Sequence, residues 1–180
     1  MKIRTLLLTS LAMCAATSPV LATTPLTGGF ANSTPYLGAS IGLLRYSQSG
    51  LPTLSPSLIV FRAGVPLSRF FAIEARLGTG LSSDQADGNS LGLGTYWGIY
   101  AKGSLGLIPR FAVYGVAGLA SVDFQRNFAG LDTTDTGVSV GVGGEFQLSP
   151  AWALDFGWTY LPSPTQADSN LLSFGVNYAL

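Results

Sequence analysis

The stretch Ala151-Trp152-Ala153-Leu154-Asp155-Phe156-Gly157-Trp158-Thr159-Tyr160-Leu161 alternates strictly up to its last residue. Trp152, Leu154, Phe156, Trp158 and Tyr160 share one parity; Ala153, Asp155, Gly157 and Thr159 share the other. Residues two apart in a strand lie on the same face, so this segment is a strand with a bulky wall and a small, partly charged one. A soluble barrel would turn the bulky wall inward. The opposite wall is too small to fill a dry core and carries a carboxylate, so the aromatic wall is expected to meet lipid and the small one a narrow polar lumen.

Composition agrees. Only 10% of residues are charged and glycine occurs 23 times in 180, with a mean hydropathy of +0.40. Glycine at that frequency is unsuited to helix interiors. After residue 22, no uncharged apolar run reaches the roughly 20 residues that a spanning helix requires. Closure of a sheet is the other way to satisfy backbone polar groups in a bilayer. The expected fold is therefore all-β: an eight-stranded antiparallel up-and-down transmembrane β-barrel.

The N-terminus reads as an export signal. Lys2 and Arg4 precede an uncharged, mostly apolar stretch from Thr5 to Ala16, and Ser18-Pro19-Val20-Leu21-Ala22 supplies a small-residue cleavage site. Residues 1–22 are expected to be a cleaved signal peptide, 23–34 a polar lead, and 35–180 the barrel. Cys14 in Leu11-Ala12-Met13-Cys14 could be a lipid acceptor, but Met13 stands where a small residue is wanted. Cleavage near Thr23 leaves a mature chain without a thiol, and hence without a disulfide.

Strands are expected at about 35–46, 56–66, 70–80, 92–106, 110–125, 137–148, 151–161 and 170–180. Long connections alternate with tight ones, and a chain that begins in the periplasm would place the tight turns there and the long loops outside. The segments Pro66-Leu67-Ser68-Arg69-Phe70, Leu107-Ile108-Pro109-Arg110-Phe111 and Leu148-Ser149-Pro150-Ala151-Trp152 mark a faint repeat of two strands and a loop. Propellers and solenoids also repeat at such lengths, but with other strand counts per unit.

Parity assigns the charges. Arg62, Glu74, Arg76, Lys102, Glu145 and Asp155 all fall opposite the bulky residues of their strands, which forms a candidate lumen ionic network. A Lys or Arg facing lipid at the midplane would cost about 2–4 kcal/mol. Arg45 shares the parity of Ile41 and Leu43 but lies at an outer strand end, from which it can reach headgroups. The lipid-facing aromatics are expected to be Phe71, Trp97, Trp152, Phe156, Trp158, Tyr160, Phe174 and Tyr178. The fifth strand is ambiguous. Placing Tyr114, Val116, Val122 and Phe124 outward sends Ser121, Asp123 and Gln125 inward, and that arrangement is preferred; Asp123 would then take the lumen to a charge of minus one.

Phe71-Ala72-Ile73-Glu74-Ala75-Arg76-Leu77-Gly78, Arg110-Phe111-Ala112-Val113-Tyr114-Gly115-Val116-Ala117-Gly118 and Leu148-Ser149-Pro150-Ala151-Trp152-Ala153-Leu154 resemble segments of the small eight-stranded outer-membrane β-barrels of Gram-negative bacteria. This is the group that includes the OmpA barrel domain and the opacity-type porins, and the likeness covers essentially the whole mature chain. It implies residence in the outer membrane, contact with lipid and lipopolysaccharide, and a monomeric barrel. It also implies that Ser173, Gly175, Tyr178 and Leu180 form a C-terminal signal for the barrel-assembly machinery, with Leu180 where phenylalanine is usual.

Catalysis has no support. The chain contains no histidine, so Ser82, Ser83 and Ser139 lack the general base on which outer-membrane barrel hydrolases rely. Asp84-Gln85-Ala86-Asp87-Gly88-Asn89 lacks the alternating ligands and closing glutamate of a calcium loop, and no metal or cofactor is expected. No phosphate loop or basic nucleic-acid surface is present. Asp84, Asp87, Asp132, Asp135 and Asp168 make the outer loops acidic; they are either solvated or hold divalent cations near lipopolysaccharide. The expected role is structural or surface-interactive, with the lumen sealed by its ion pairs. The alternatives are adhesion through the outer loops, a narrow ion or small-solute pore, and a soluble ligand-binding barrel with the Trp158 wall turned inward.

Overall fold

The computed structural model describes residues 34–48, 55–82, 84–86, 89–126, 133–162 and 167–180; the signal-peptide and polar-lead expectations lie outside them. Nine strands form: β1 (Tyr36–Gln48), β2 (Ser57–Pro66), β3 (Phe71–Gly80), β4 (Asp84–Ala86), β5 (Asn89–Ile108), β6 (Phe111–Arg126), β7 (Thr133–Gln147), β8 (Trp152–Leu161) and β9 (Ala167–Ala179). Eight of them make the barrel. The three-residue β4 pairs only with the start of β5, and extends that edge beyond the ring.

All pairings are antiparallel, and β3 meets β5 from Phe71↔Gly103 to Thr79↔Thr95, which closes the ring. β1 pairs with β9 along 13 positions, from Tyr36↔Ala179 to Gln48↔Ala167. The barrel strands therefore have no free edge, the condition for placing backbone amides in hydrocarbon. β5 runs for 20 residues and β6 for 16, against 10 for β2 and β3, so the wall stands taller on that side. The extra length lies mainly at the long-loop end. It draws Asp135, expected in a loop, into β7.

Burial alternates along the regular strands, and the parity is the one the bulky walls require. In β3, Ala72, Glu74, Arg76 and Gly78 are buried, while Phe71, Ile73, Ala75 and Leu77 are exposed. Phe71, Trp97, Trp152, Phe156, Trp158, Phe174 and Tyr178 are exposed on the outer face and Tyr160 is half-exposed beside them. Trp152 and Tyr178 touch across β8 and β9 with ring centroids 4.9 Å apart. Phe156 covers Gly144 on the neighbouring strand, where a Cβ would come within 2.5 Å of its ring.

β6 takes the parity opposite to the one expected. Ala112, Tyr114, Val116, Ala120 and Val122 are buried inside, and Leu119 is 57% exposed. Asp123 shares Leu119's parity and leaves the lumen. The reason is room. Cβ atoms at Gly143 and Gly157 would collide with the Tyr114 ring and hydroxyl at 2.4 and 2.7 Å, so these two glycines on neighbouring strands create the space that the ring fills. A second departure is an irregularity in β5 between Leu93 and Tyr96. It changes the parity partway along the strand, so that both residues face inward.

Close strand approach makes some glycines irreplaceable and leaves others free. At Gly118 a Cβ would meet Ile99 O at 2.0 Å and Tyr100 Cα at 2.8 Å, whereas at Gly115 it would meet only Gly141 O at 3.9 Å. Gly118→Ala is expected to reduce the yield of the heat-modifiable folded band and to destabilise the barrel by at least about 1–3 kcal/mol. Gly115→Ala should fold like the parent. Urea unfolding in lipid vesicles distinguishes the two, and equal midpoints would contradict this account of the seam.

Candidate functional site: the lumen

The strands bring the six charged side chains of the candidate network into one cluster at the short-turn half of the lumen. All six are at most 5% exposed, and three cations face three anions. Lys102, on β5, is central. Its Nζ lies 2.8 Å from Glu145 Oε1 and 3.6 Å from Glu74 Oε2, which links β3 to β7 across the barrel. Glu74 Oε1 accepts from Arg76 Nε at 2.7 Å, and Arg62 pairs with Asp155. The pairs are thus joined across opposite walls as well as along neighbouring strands.

Neutral groups extend the network, although Arg62 Nε, Glu145 Oε2, Asp155 Oδ2 and Asn177 Oδ1 are buried without a hydrogen-bond partner. Tyr36 donates to Glu74 and accepts from Lys102 Nζ at 3.3 Å. Asn177 Nδ2 donates to Glu145 Oε1 at 2.8 Å, Arg62 Nη2 to Ser40 Oγ at 3.1 Å, and Arg76 Nη1 to Thr159 Oγ1 at 3.1 Å. Aromatic faces take up the remaining positive charge. Lys102 Nζ stands 4.3 Å from the Tyr114 ring centroid and 5.0 Å from that of Tyr36, and the Arg76 guanidinium stands 4.6 Å from that of Tyr100. Buried charges are tolerable only with such partners, since an isolated ion pays a desolvation penalty of several kcal/mol.

Above the ions lies a hydroxyl relay. Tyr96 and Tyr100 hydroxyls are 2.8 Å apart, Tyr100 donates to Ser139 Oγ at 3.0 Å, and Ser139 donates to the Tyr160 carbonyl at 2.6 Å. Toward the long loops the interior is apolar: Leu44, Leu58, Val60, Leu93, Val122, Leu161 and Leu171 form one buried cluster. The lumen is therefore graded, ionic at one end and largely apolar at the other. The expectation of a uniformly narrow polar interior is corrected by this apolar layer and by four buried tyrosines, Tyr36, Tyr96, Tyr100 and Tyr114.

Those tyrosines were not among the expected site residues. Two of them carried a usable signal: Tyr96 and Tyr100 share the parity of Lys102 on one strand. The small inner positions are the counterpart of the large ones. A Cβ at Gly64 would fall 2.2 Å from the Tyr36 ring, and one at Gly98 would fall 2.6 Å from the Tyr100 ring. Of the residues expected to form the assembly signal, Ser173 is buried in the lumen, Gly175 sits tightly against the Ala39 carbonyl, and Tyr178 and Leu180 are exposed. Among the described residues, no group of three or more acidic or cysteine side chains is placed to hold a metal.

The network makes a stability prediction. Lys102→Met leaves Glu74 and Glu145 short of their shared cation and should destabilise the barrel by about 3–5 kcal/mol, measured by urea unfolding in vesicles. Adding Glu145→Gln should recover part of the loss. A double variant no more stable than the single one would mean that the Lys102–Glu145 pair is not coupled.

A family model described as "Outer membrane protein beta-barrel domain" matches residues 5–179. No curated protein sequence matches. Among solved structures, the fold is similar to Ail, the attachment invasion locus protein of Yersinia pestis, crystallised with the heparin analogue sucrose octasulfate. That comparison has a TM-score of 0.62 and 12% identity, covering 83% of this chain and 99% of Ail. Neisserial surface protein A has a TM-score of 0.58 and 21% identity, with 81% and 97% covered. The N-terminal β-barrel domain of Pseudomonas aeruginosa OprF has a TM-score of 0.53 and 11% identity, with 79% and 97% covered.

Proposed function

Because this chain belongs to the outer membrane protein β-barrel family, we propose that it is a non-catalytic, monomeric barrel of the Gram-negative outer membrane whose lumen is closed to ions. Residues 1–22 direct its export, and the short turns face the periplasm. Ser173, Gly175, Tyr178 and Leu180 are read by the assembly machinery. The observation that carries the closed lumen is the bridge of Lys102 between Glu74 and Glu145, which spans the barrel instead of lining one wall. The apolar layer of Leu44, Leu58, Leu161 and Leu171 lies in series with it. Apolar constrictions oppose ion passage by excluding water.

Charge distribution argues against the adhesive reading as far as polyanions are concerned. The strand ends on the long-loop side carry Asp84, Asp123, Asp135 and Asp168 against Arg45 and Arg126. That balance repels a sulfated ligand such as the one crystallised with Ail.

In planar bilayers the purified protein should give no regular open steps. Glu145→Ala should also stay closed, because the apolar layer remains, whereas Glu145→Ala combined with Leu171→Ser should conduct. Large, reproducible steps in the unmodified protein would overturn the reading.

A further inference from the structure

The outer wall has a shallow, open depression. Phe70, Phe71, Gly103, Leu105, Val113 and Gly115 line an apolar groove of about 330 Å³ near the short-turn end, where β3, β5 and β6 run side by side. Its floor exists because Gly103 and Gly115 are cross-strand partners, which leaves two adjacent outward positions without side chains. Phe71 stands beside them, opposite Gly103 and 60% exposed.

Both hairpins that border the groove carry a cation at their turn. Arg69 lies two residues before Phe71, its guanidinium 5.1 Å from the ring centroid of Phe70, which itself lines the groove. Arg110 lies in the tight turn between β5 and β6. The three short turns, Leu67–Phe70, Pro109–Arg110 and Leu148–Ala151, contain these two arginines and no carboxylate. Arg110 also occupies an unusual backbone position. Its φ is 71°, the single positive value outside glycine among the described residues, at a turn position where glycine would be free of strain.

We propose that this groove binds one anionic glycerophospholipid of the periplasmic leaflet, with an acyl chain laid along Gly103 and Gly115 and the phosphate held by Arg69 and Arg110. The site rests on the orientation proposed above, short turns inward, and not on whether the lumen conducts. Burying an acyl chain against apolar protein gains packing but discriminates little, because lipid tails are as apolar as the wall. Selectivity comes from the arginines, whose planar donor array fits phosphate oxygens.

The test is native mass spectrometry of the folded protein released from vesicles of phosphatidylglycerol or of phosphatidylcholine with the same chains. The parent should retain one phosphatidylglycerol and little phosphatidylcholine. Arg110→Gly relieves the backbone strain and so should fold at least as well as the parent, yet it should lose about fivefold of the phosphatidylglycerol retention, as should Arg69→Gln. A Cβ at Gly115 would meet only Gly141 O at 3.9 Å, so Gly115→Leu should reduce retention of either lipid while the heat-modifiable band persists. Equal retention of the two lipids by the parent, or full retention by Arg110→Gly and Arg69→Gln together, would overturn the proposal; so would a protein dimer lost on Gly115→Leu, which would identify a second copy as the occupant. Orientation is checked separately with Ser68→Cys and a membrane-impermeant maleimide. Labelling in intact cells would remove the orientation and the proposal with it, whereas labelling only after permeabilisation leaves the lipid measurements to decide.

Discussion

The pairing of β3 with β5 is the contact on which everything else depends. Without the nine paired positions from Phe71↔Gly103 to Thr79↔Thr95, the sheet would present two open edges to hydrocarbon. Closure also fixes the interior. Eight strands enclose a volume that side chains can fill, so each large inner residue must be matched by small ones facing it. Tyr36 stands over Gly64 and Tyr114 over Gly143 and Gly157. The closed ring thus dictates the glycine-rich, charge-poor composition and does not merely coexist with it.

Inside that volume, charge is arranged by depth. The ions gather where Tyr36, Ser40, Asn177 and Thr159 supply hydrogen bonds, and leucines take over toward the long loops. Toward the two ends, arginines mark the short turns, Asp84, Asp123, Asp135 and Asp168 stand at the opposite strand ends, and the belt between carries apolar and aromatic side chains. The result is a barrel whose six-residue ionic cluster is neutral while its short turns carry positive charge alone.

The eight barrel strands and the outward aromatic wall were legible because alternation is local: counting by two along 151–161 or 71–80 needs no knowledge of neighbours. The inward position of Arg62, Glu74, Arg76, Lys102, Glu145 and Asp155 follows from the same count. What they bond to does not, because Lys102 meets Glu145 from 43 residues away and pairing depends on register around the ring. The parity of β6 is not legible in its own residues because it is set by glycines on β7 and β8, not by its own hydropathy. The apolar layer is hidden in the sequence for a related reason. Leu44, Leu58 and Leu171 sit on the inner parity near strand ends, where leucine alone does not tell lumen from lipid; Leu161, the first bulky residue on the small face of its strand, was the trace of it.

The interlock of Tyr114 with Gly143 and Gly157 bears on how such a barrel can change over time. Three positions on three strands share one space, so a side chain gained at either glycine is viable only after the tyrosine has shrunk, and a smaller residue at 114 leaves a void until a neighbour grows. Related sequences should therefore exchange bulk among these positions as a set, with their summed volume held nearly constant while the individual identities drift. The inner face would then diverge in coupled steps, whereas outer-face residues such as Ile73 or Val142, exposed on the wall, are free to change one at a time.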